Sequence, residues 1–201
     1  VTFALIVACG YLAGSCPWGY WLPALFRGED VRRHGSGSIG GSNVWRTYGG
    51  WLAGPVILLD ALKGFAPALA GVLAVSHLCG ILAGGAAMLG HARPLYLRFT
   101  RGGKMVATAG GVLFAVCPWV ALAAAAAWVL VFVVSRYTSV ASVVSAVALP
   151  VLAVAFGYPA PVLAFTAATG AGIVVLHRAN LRRLRAGTEN RFRGLRRAVR
   201  A

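Results

Sequence analysis

Trp119-Val120-Ala121-Leu122-Ala123-Ala124-Ala125-Ala126-Ala127-Trp128-Val129-Leu130-Val131-Phe132-Val133-Val134-Ser135 carries no charged residue and is closed by Arg136. A run of this length and composition suits a helix in a bilayer, where the backbone's polar groups must be satisfied within the segment. Working outward, comparable apolar segments fall at approximately 3–26, 51–74, 78–91, 105–117, 139–156 and 160–176. The chain of 201 residues is 59% hydrophobic and 11% charged, with mean hydropathy +0.77; a soluble domain carries about 25% charged residues. The expectation is an all-α integral membrane protein, a seven-span helical bundle forming one polytopic domain over residues 1–201. Segments 78–91 and 105–117 are shorter than the ~20 residues of a perpendicular span and read as short or partly re-entrant. Breaks are expected at Ser76-His77, Cys117-Pro118 and Gly157-Tyr158-Pro159-Ala160-Pro161. No basic stretch precedes the first apolar run, so it reads as a span and not as a cleaved signal. Cys9, Cys16, Cys79 and Cys117 lie in or beside apolar runs without C-x-x-C spacing and read as small buried residues.

The basic residues orient the bundle. Of the 19 Lys and Arg, all but Lys63 fall in the connections 27–50, 91–104 and 136–138 or in the tail from 178. The alternate ends (1–3, 75–79, 117–119 and 156–161) hold none. By the positive-inside rule this places the N-terminus outside, the C-terminus in the cytoplasm, and the chemistry on the cytoplasmic face. The Arg-rich run from Arg191 to Arg200 adjoins a span, so it reads as a contact to anionic lipid and not to nucleic acid.

Three basic connections carry candidate chemistry. Arg101-Gly102-Gly103-Lys104-Met105-Val106-Ala107-Thr108 is a glycine-rich cationic turn ahead of a predicted helix over Val106 to Val116. Helix N–H groups facing such a turn make a phosphate site. The loop His34 to Arg46 offers backbone N–H groups, hydroxyls, an amide and a guanidinium, a set suited to an oxyanion; a flexible polar loop is the competing reading. Its formal G-x-G-x-x-G (Gly35, Gly37, Gly40) follows Val-Arg-Arg-His and no buried strand, so the dinucleotide reading is rejected. Asp60 and Lys63 lie three apart inside the second span and read first as a neutralising pair, second as a substrate contact. After the seventh span, helical spacing puts His177, Asn180, Leu181 and Leu184 on one face, turned to the bundle, with the arginines outward.

These blocks, in this order, resemble the bacterial acyl-phosphate:glycerol-3-phosphate acyltransferases (the PlsY family). The first family pattern, G-S-G-N-x-G-x-x-N-x-x-R, is met by Gly35-Ser36-Gly37-Ser38-Ile39-Gly40-Gly41-Ser42-Asn43-Val44-Trp45-Arg46. The second, G-H-x-x-P then G-G-K-G-V-A-T, is met by Gly90 to Pro94 and Gly102 to Thr108. The third, H-R-x-N-I-x-R-L then G-T-E, is met by His177 to Leu184 and Gly187-Thr188-Glu189. The resemblance implies acyl transfer from acyl phosphate to the 1-hydroxyl of glycerol 3-phosphate, giving lysophosphatidic acid and phosphate, in a multi-pass protein of the bacterial inner membrane. It needs no cofactor and no metal; the implied partners are the two substrates and membrane lipids, with no nucleic acid. Ser36, Arg46 and Lys104 are then expected to bind phosphate and the oxyanion, with Gly37, Ser38 and Thr108 beside them. Gly102 and Gly103 are expected to offer backbone N–H groups, and Asn43, His177 and Asn180 to orient the acceptor. His177 or the substrate's own phosphate takes the proton. Two positions depart from the pattern: Ser38 replaces Asn, and Met105 replaces a Gly where a Cβ would obstruct approach to phosphate.

Rival chemistries lack their residues. The His-x4-Asp of acyl-CoA acyltransferases is absent, since Ile39, Leu82, Tyr96 and Arg182 follow the four histidines at that spacing. A P-loop fails at Arg98 and Met105, and no serine has the G-x-S-x-G context. Two alternatives keep the same loops: a carrier for phosphate or organic anions, and a diverged paralogue of altered acceptor or weak activity.

Overall fold

The computed structural model describes residues 1–192; the rest of the Arg-rich tail, read above as a lipid contact, lies outside the described residues. Among the described residues the secondary structure is entirely helical. The helices are α1 (Thr2–Gly14), α2 (Trp18–Arg27), α3 (Gly41–Tyr48), α4 (Gly50–Ala74), α5 (His77–Ala92), α6 (Val106–Val116), α7 (Pro118–Ser135), α8 (Thr138–Ala155), α9 (Ala160–Leu176) and α10 (Arg178–Arg185). Every apolar segment is helical, and the breaks fall at Ser76, at Cys117-Pro118 and at 157–159 as composition predicts. Pro118 opens α7 at its first turn, where a missing N–H costs nothing.

The first segment is two helices. Pro17 has no N–H to donate, α1 ends at Gly14, and α2 restarts at Trp18. Taken together they give one stretch, Thr2–Arg27, long and apolar enough to cross a membrane, as are α4, α7 and α8. The pair α9 and α10, bent by 53°, makes a fifth if counted as one span. At 16 and 11 residues, α5 and α6 fall short of that length.

The chain divides into two compact units, one from Val1 to Val116, the other beginning at Cys117. In the first, α1 packs on α4 and α5, and α4 packs on α5 and α6. Glycines let these backbones approach: a Cβ on Gly14 would strike the Ala87 carbonyl of α5, and one on Gly111 of α6 would strike the Ala61 carbonyl of α4. In the second, α7 packs on α8 and α8 on α9.

Candidate active site

The loop between α2 and α4 is built and not floppy. Val31, Ile39 and Val44 are buried at 0%, 1% and 0% exposure, forming a core with Leu52, Ala53 and Val56 of α4. Asp30 caps the short turn Val31–Arg33 by accepting from the Arg32 N–H at 2.9 Å. It also holds the Arg32 guanidinium through Nε and Nη2, and that guanidinium lies 4.6 Å from the Tyr20 ring centre. The Arg32 hydrogen bonds hold the Asp30 carboxyl below its ordinary value despite the opposing effect of burial.

Asn43, 1% exposed, organises the remainder. Its Oδ1 accepts from the Ser36 N–H at 2.9 Å, while its Nδ2 donates to the carbonyls of Ser38, His34 and Val31 at 2.9, 3.1 and 3.3 Å. The expected acceptor-orienting amide is thus spent on shaping the loop. Gly35 and Gly37 hold φ of +56° and +69°, conformations that suit glycine. Ser38 Oγ accepts from the Gly40 N–H at 3.2 Å. An asparagine would make the same bond two residues on, so the Ser38 departure conserves the turn. On this frame Arg46 Nη2 reaches Ser36 Oγ at 3.5 Å, bringing together two residues the sequence singled out.

The glycine–lysine turn corrects two expectations. The Gly102 N–H donates to the Ala92 carbonyl at 3.0 Å and the Gly103 N–H to the His91 carbonyl at 3.1 Å, so neither is offered to a phosphate. The two glycines are there for contact: a Cβ on Gly103 would strike the His91 ring, and one on Gly102 the His91 carbonyl and the Pro94 ring. Met105 has φ +67° and is 7% exposed. The family's glycine at this position suits a left-handed backbone, and the methionine side chain is buried. Thr108, expected at the phosphate, is fully buried in the first turn of α6, with its methyl and carbonyl beside Gly64 of α4. Lys104 stands half-buried just ahead of that turn.

Asp60 and Lys63 form the expected pair at 2.7 Å, both buried. Lys63 Nζ also donates to the Cys16 carbonyl at 2.7 Å, at the break between α1 and α2.

In the second unit, His177 sits at the bend between α9 and α10, 3% exposed. Its Nδ1 lies 2.8 Å from the Ile173 carbonyl. A carbonyl only accepts, so Nδ1 carries the hydrogen and neutral His177 has its lone pair on Nε2. As the spacing predicts, His177 and Asn180 are buried while Arg178, Arg182 and Arg185 are exposed. Asn180 Nδ2 donates to Glu189 Oε1 at 2.6 Å, Ser139 Oγ to the same oxygen at 3.0 Å, and Arg183 Nε to Oε2 at 2.7 Å. Burial pushes the Glu189 carboxyl up, but these bonds and the Arg183 charge outweigh it and hold it below its ordinary value.

Glu189, Arg183 and His91 were not among the expected site residues. The signal was there in Gly187-Thr188-Glu189 and Gly90-His91, since a lone acid in a basic tail and a histidine at a span end each need a partner.

The family model for glycerol-3-phosphate acyltransferases matches residues 4–187. A glycerol-3-phosphate acyltransferase of Roseiflexus sp. (strain RS-1) is 44% identical over 195 residues, 94% of this chain and 95% of that protein. One of Rubrobacter xylanophilus is 42% identical over 191 residues, 94% and 95% of the two chains. The crystal structure of PlsY (YgiH), an integral membrane glycerol 3-phosphate acyltransferase, in its glycerol 3-phosphate form, matches with TM-score 0.94 and 38% identity over 100% of both chains. Its lysophosphatidic acid form matches at 0.89 and 37% over 99% of both. With a buried carboxylate holding Asn180, an Arg46–Ser36 pair, and relatives along its whole length, the chain belongs to the glycerol-3-phosphate acyltransferase family and is an acyltransferase of the membrane.

Proposed function

We propose that this chain transfers a fatty acyl group from acyl phosphate to the 1-hydroxyl of glycerol 3-phosphate, giving lysophosphatidic acid and inorganic phosphate. The observation that carries the reading is the likeness to PlsY in two forms, one described with glycerol 3-phosphate and one with lysophosphatidic acid, which are the acceptor and product of this reaction. The donor class is supported by the missing His-x4-Asp and by cationic loops suited to phosphate. Residues 1–201 act as one domain, a reading supported by a family match that runs through the boundary at Val116. The basic connections support seven spans, N-terminus outside, in a bacterial inner membrane.

Acyl phosphate is a mixed anhydride with a good leaving group, so positioning and charge stabilisation carry most of the chemistry. The acceptor hydroxyl adds to the acyl carbonyl, negative charge grows on the carbonyl oxygen, and the C–O bond to phosphate breaks. Arg46, Ser36 and Lys104 supply positive charge and a hydroxyl to the phosphates and that oxygen. Asn180 and His177 orient the acceptor, and the lone pair on Nε2 supports His177 as the group that takes its proton. Asn43, Gly37 and Ser38 set the loop that carries Ser36. In reconstituted protein, Lys104→Ala and Arg46→Ala are each expected to lower phosphate release about 10²-fold or more. Turnover within threefold of the parent in both would overturn the assignment.

A further inference from the structure

Beneath the glycine–lysine turn runs a line of buried polar groups that the chemistry above does not use. Lys63 Nζ bridges the Cys16 carbonyl and Asp60 Oδ1, each at 2.7 Å. The same carboxylate oxygen lies 3.5 Å from His91 Nδ1. The other edge of the His91 ring faces the Gly103 backbone closely enough that no Cβ fits between them. Asp60, Lys63 and His91 are 2%, 7% and 3% exposed. Charged groups in such a place are costly to bury, and a structural pair would need no third member. Here the third member is the floor on which the turn rests. The His91 carbonyl accepts from Gly103, the Ala92 carbonyl accepts from Gly102, and the imidazole lies against the Gly103 backbone.

We infer that Asp60, Lys63 and His91 are positioning residues for the reaction: they lock the imidazole under Gly102-Gly103 and so fix the height of Lys104 over its phosphate. This rests on the reading of Lys104 as a phosphate ligand. A shift of about 1 Å in such a group is worth about 10²-fold in rate. Asp60 orients His91 and Lys63 neutralises Asp60. The bond from Lys63 to Cys16 makes the break between α1 and α2 part of the same support.

The test uses two variants that disturb the contact from opposite sides in the full chain. His91→Ala removes the floor; Gly103→Ala pushes the turn off an intact floor. Amide hydrogen exchange is read for the turn and for α4 and α5, alongside KM and kcat with palmitoyl phosphate and glycerol 3-phosphate. Both variants are expected to raise exchange in residues 100–105 while α4 and α5 stay protected, and to raise KM for a phosphate-bearing substrate about tenfold. A merely structural role lowers the active fraction, and so the apparent kcat, with KM unmoved. In the double variant the cleared space should make the losses less than multiplicative. Wild-type exchange in the turn of Gly103→Ala, or an unchanged KM in both variants, overturns the inference. A parent protein without turnover on these substrates would instead sink the proposed function, and the exchange measurement would still decide the positioning role.

Discussion

Glu189 is the carboxylate on which the C-terminal cluster is strung: Ser139, Asn180 and Arg183 all donate to it. Because its folded value lies below the ordinary 4.5, its ionised form contributes stability above that value. That contribution is lost as pH falls through the folded value. Glu189→Gln should therefore melt below the parent at pH 7, by a few degrees, with the gap closing as pH drops below 4.5. Thermal midpoints across pH 7 to 3.5 check this; a gap that is constant with pH would contradict it. The two departures from the family pattern both keep the local backbone. Ser38 makes the turn bond an asparagine would make, and Met105 occupies a left-handed position with its side chain buried. A non-glycine residue there costs about 1–2 kcal/mol of backbone strain, which burial of the side chain helps offset. Neither departure removes a group from the proposed chemistry. Sequence reasoning put phosphate-binding N–H groups at Gly102 and Gly103 because glycine pairs beside a lysine often serve that way. Which acceptor an N–H finds is decided by distant chain, here the end of α5.

Helix positions were legible because hydropathy and proline placement act locally: Pro118 marks a start that the structure keeps, whereas the single segment 3–26 hid the restart after Pro17. The contacts between helices were not. Gly110 and Gly111 are adjacent glycines in one apolar run, yet a Cβ on Gly110 meets nothing within 4 Å while one on Gly111 meets the Ala61 backbone. Hydropathy is blind to that difference. Gly111→Leu should force α4 and α6 apart and cost about 1–3 kcal/mol or more, because a backbone carbonyl cannot swing aside. Gly110→Leu should stay within about 0.5 kcal/mol. Thermal midpoints of the two variants in one detergent make the comparison, and equal losses would contradict the seam between α4 and α6. The same blindness hid His91, which reads as a span-end histidine until its ring is seen against Gly103.

At the scale of the molecule, the sequence established a helical membrane protein, and the relatives along its whole length agree. The number of spans turns on α5 and α6, at 16 and 11 residues. Seven spans predict opposite sides for Val75, ahead of α5, and Thr100, between α5 and α6, whereas a chain in which these two helices do not cross puts both on one side. In a cysteine-free background, Val75→Cys should react with an impermeant thiol reagent added to intact spheroplasts and Thr100→Cys only after lysis. Labelling of both from outside would contradict the topology. The central claim is donor and acceptor together. The most direct measurement is lysophosphatidic acid formation by the purified protein in lipid with palmitoyl phosphate and glycerol 3-phosphate, together with the phosphate this releases, against lysophosphatidic acid formation with palmitoyl-CoA as donor. The account predicts lysophosphatidic acid and phosphate only when palmitoyl phosphate and glycerol 3-phosphate are both present, and no lysophosphatidic acid from palmitoyl-CoA. Turnover with the thioester, or no acceptor-dependent release from a folded protein, would contradict it.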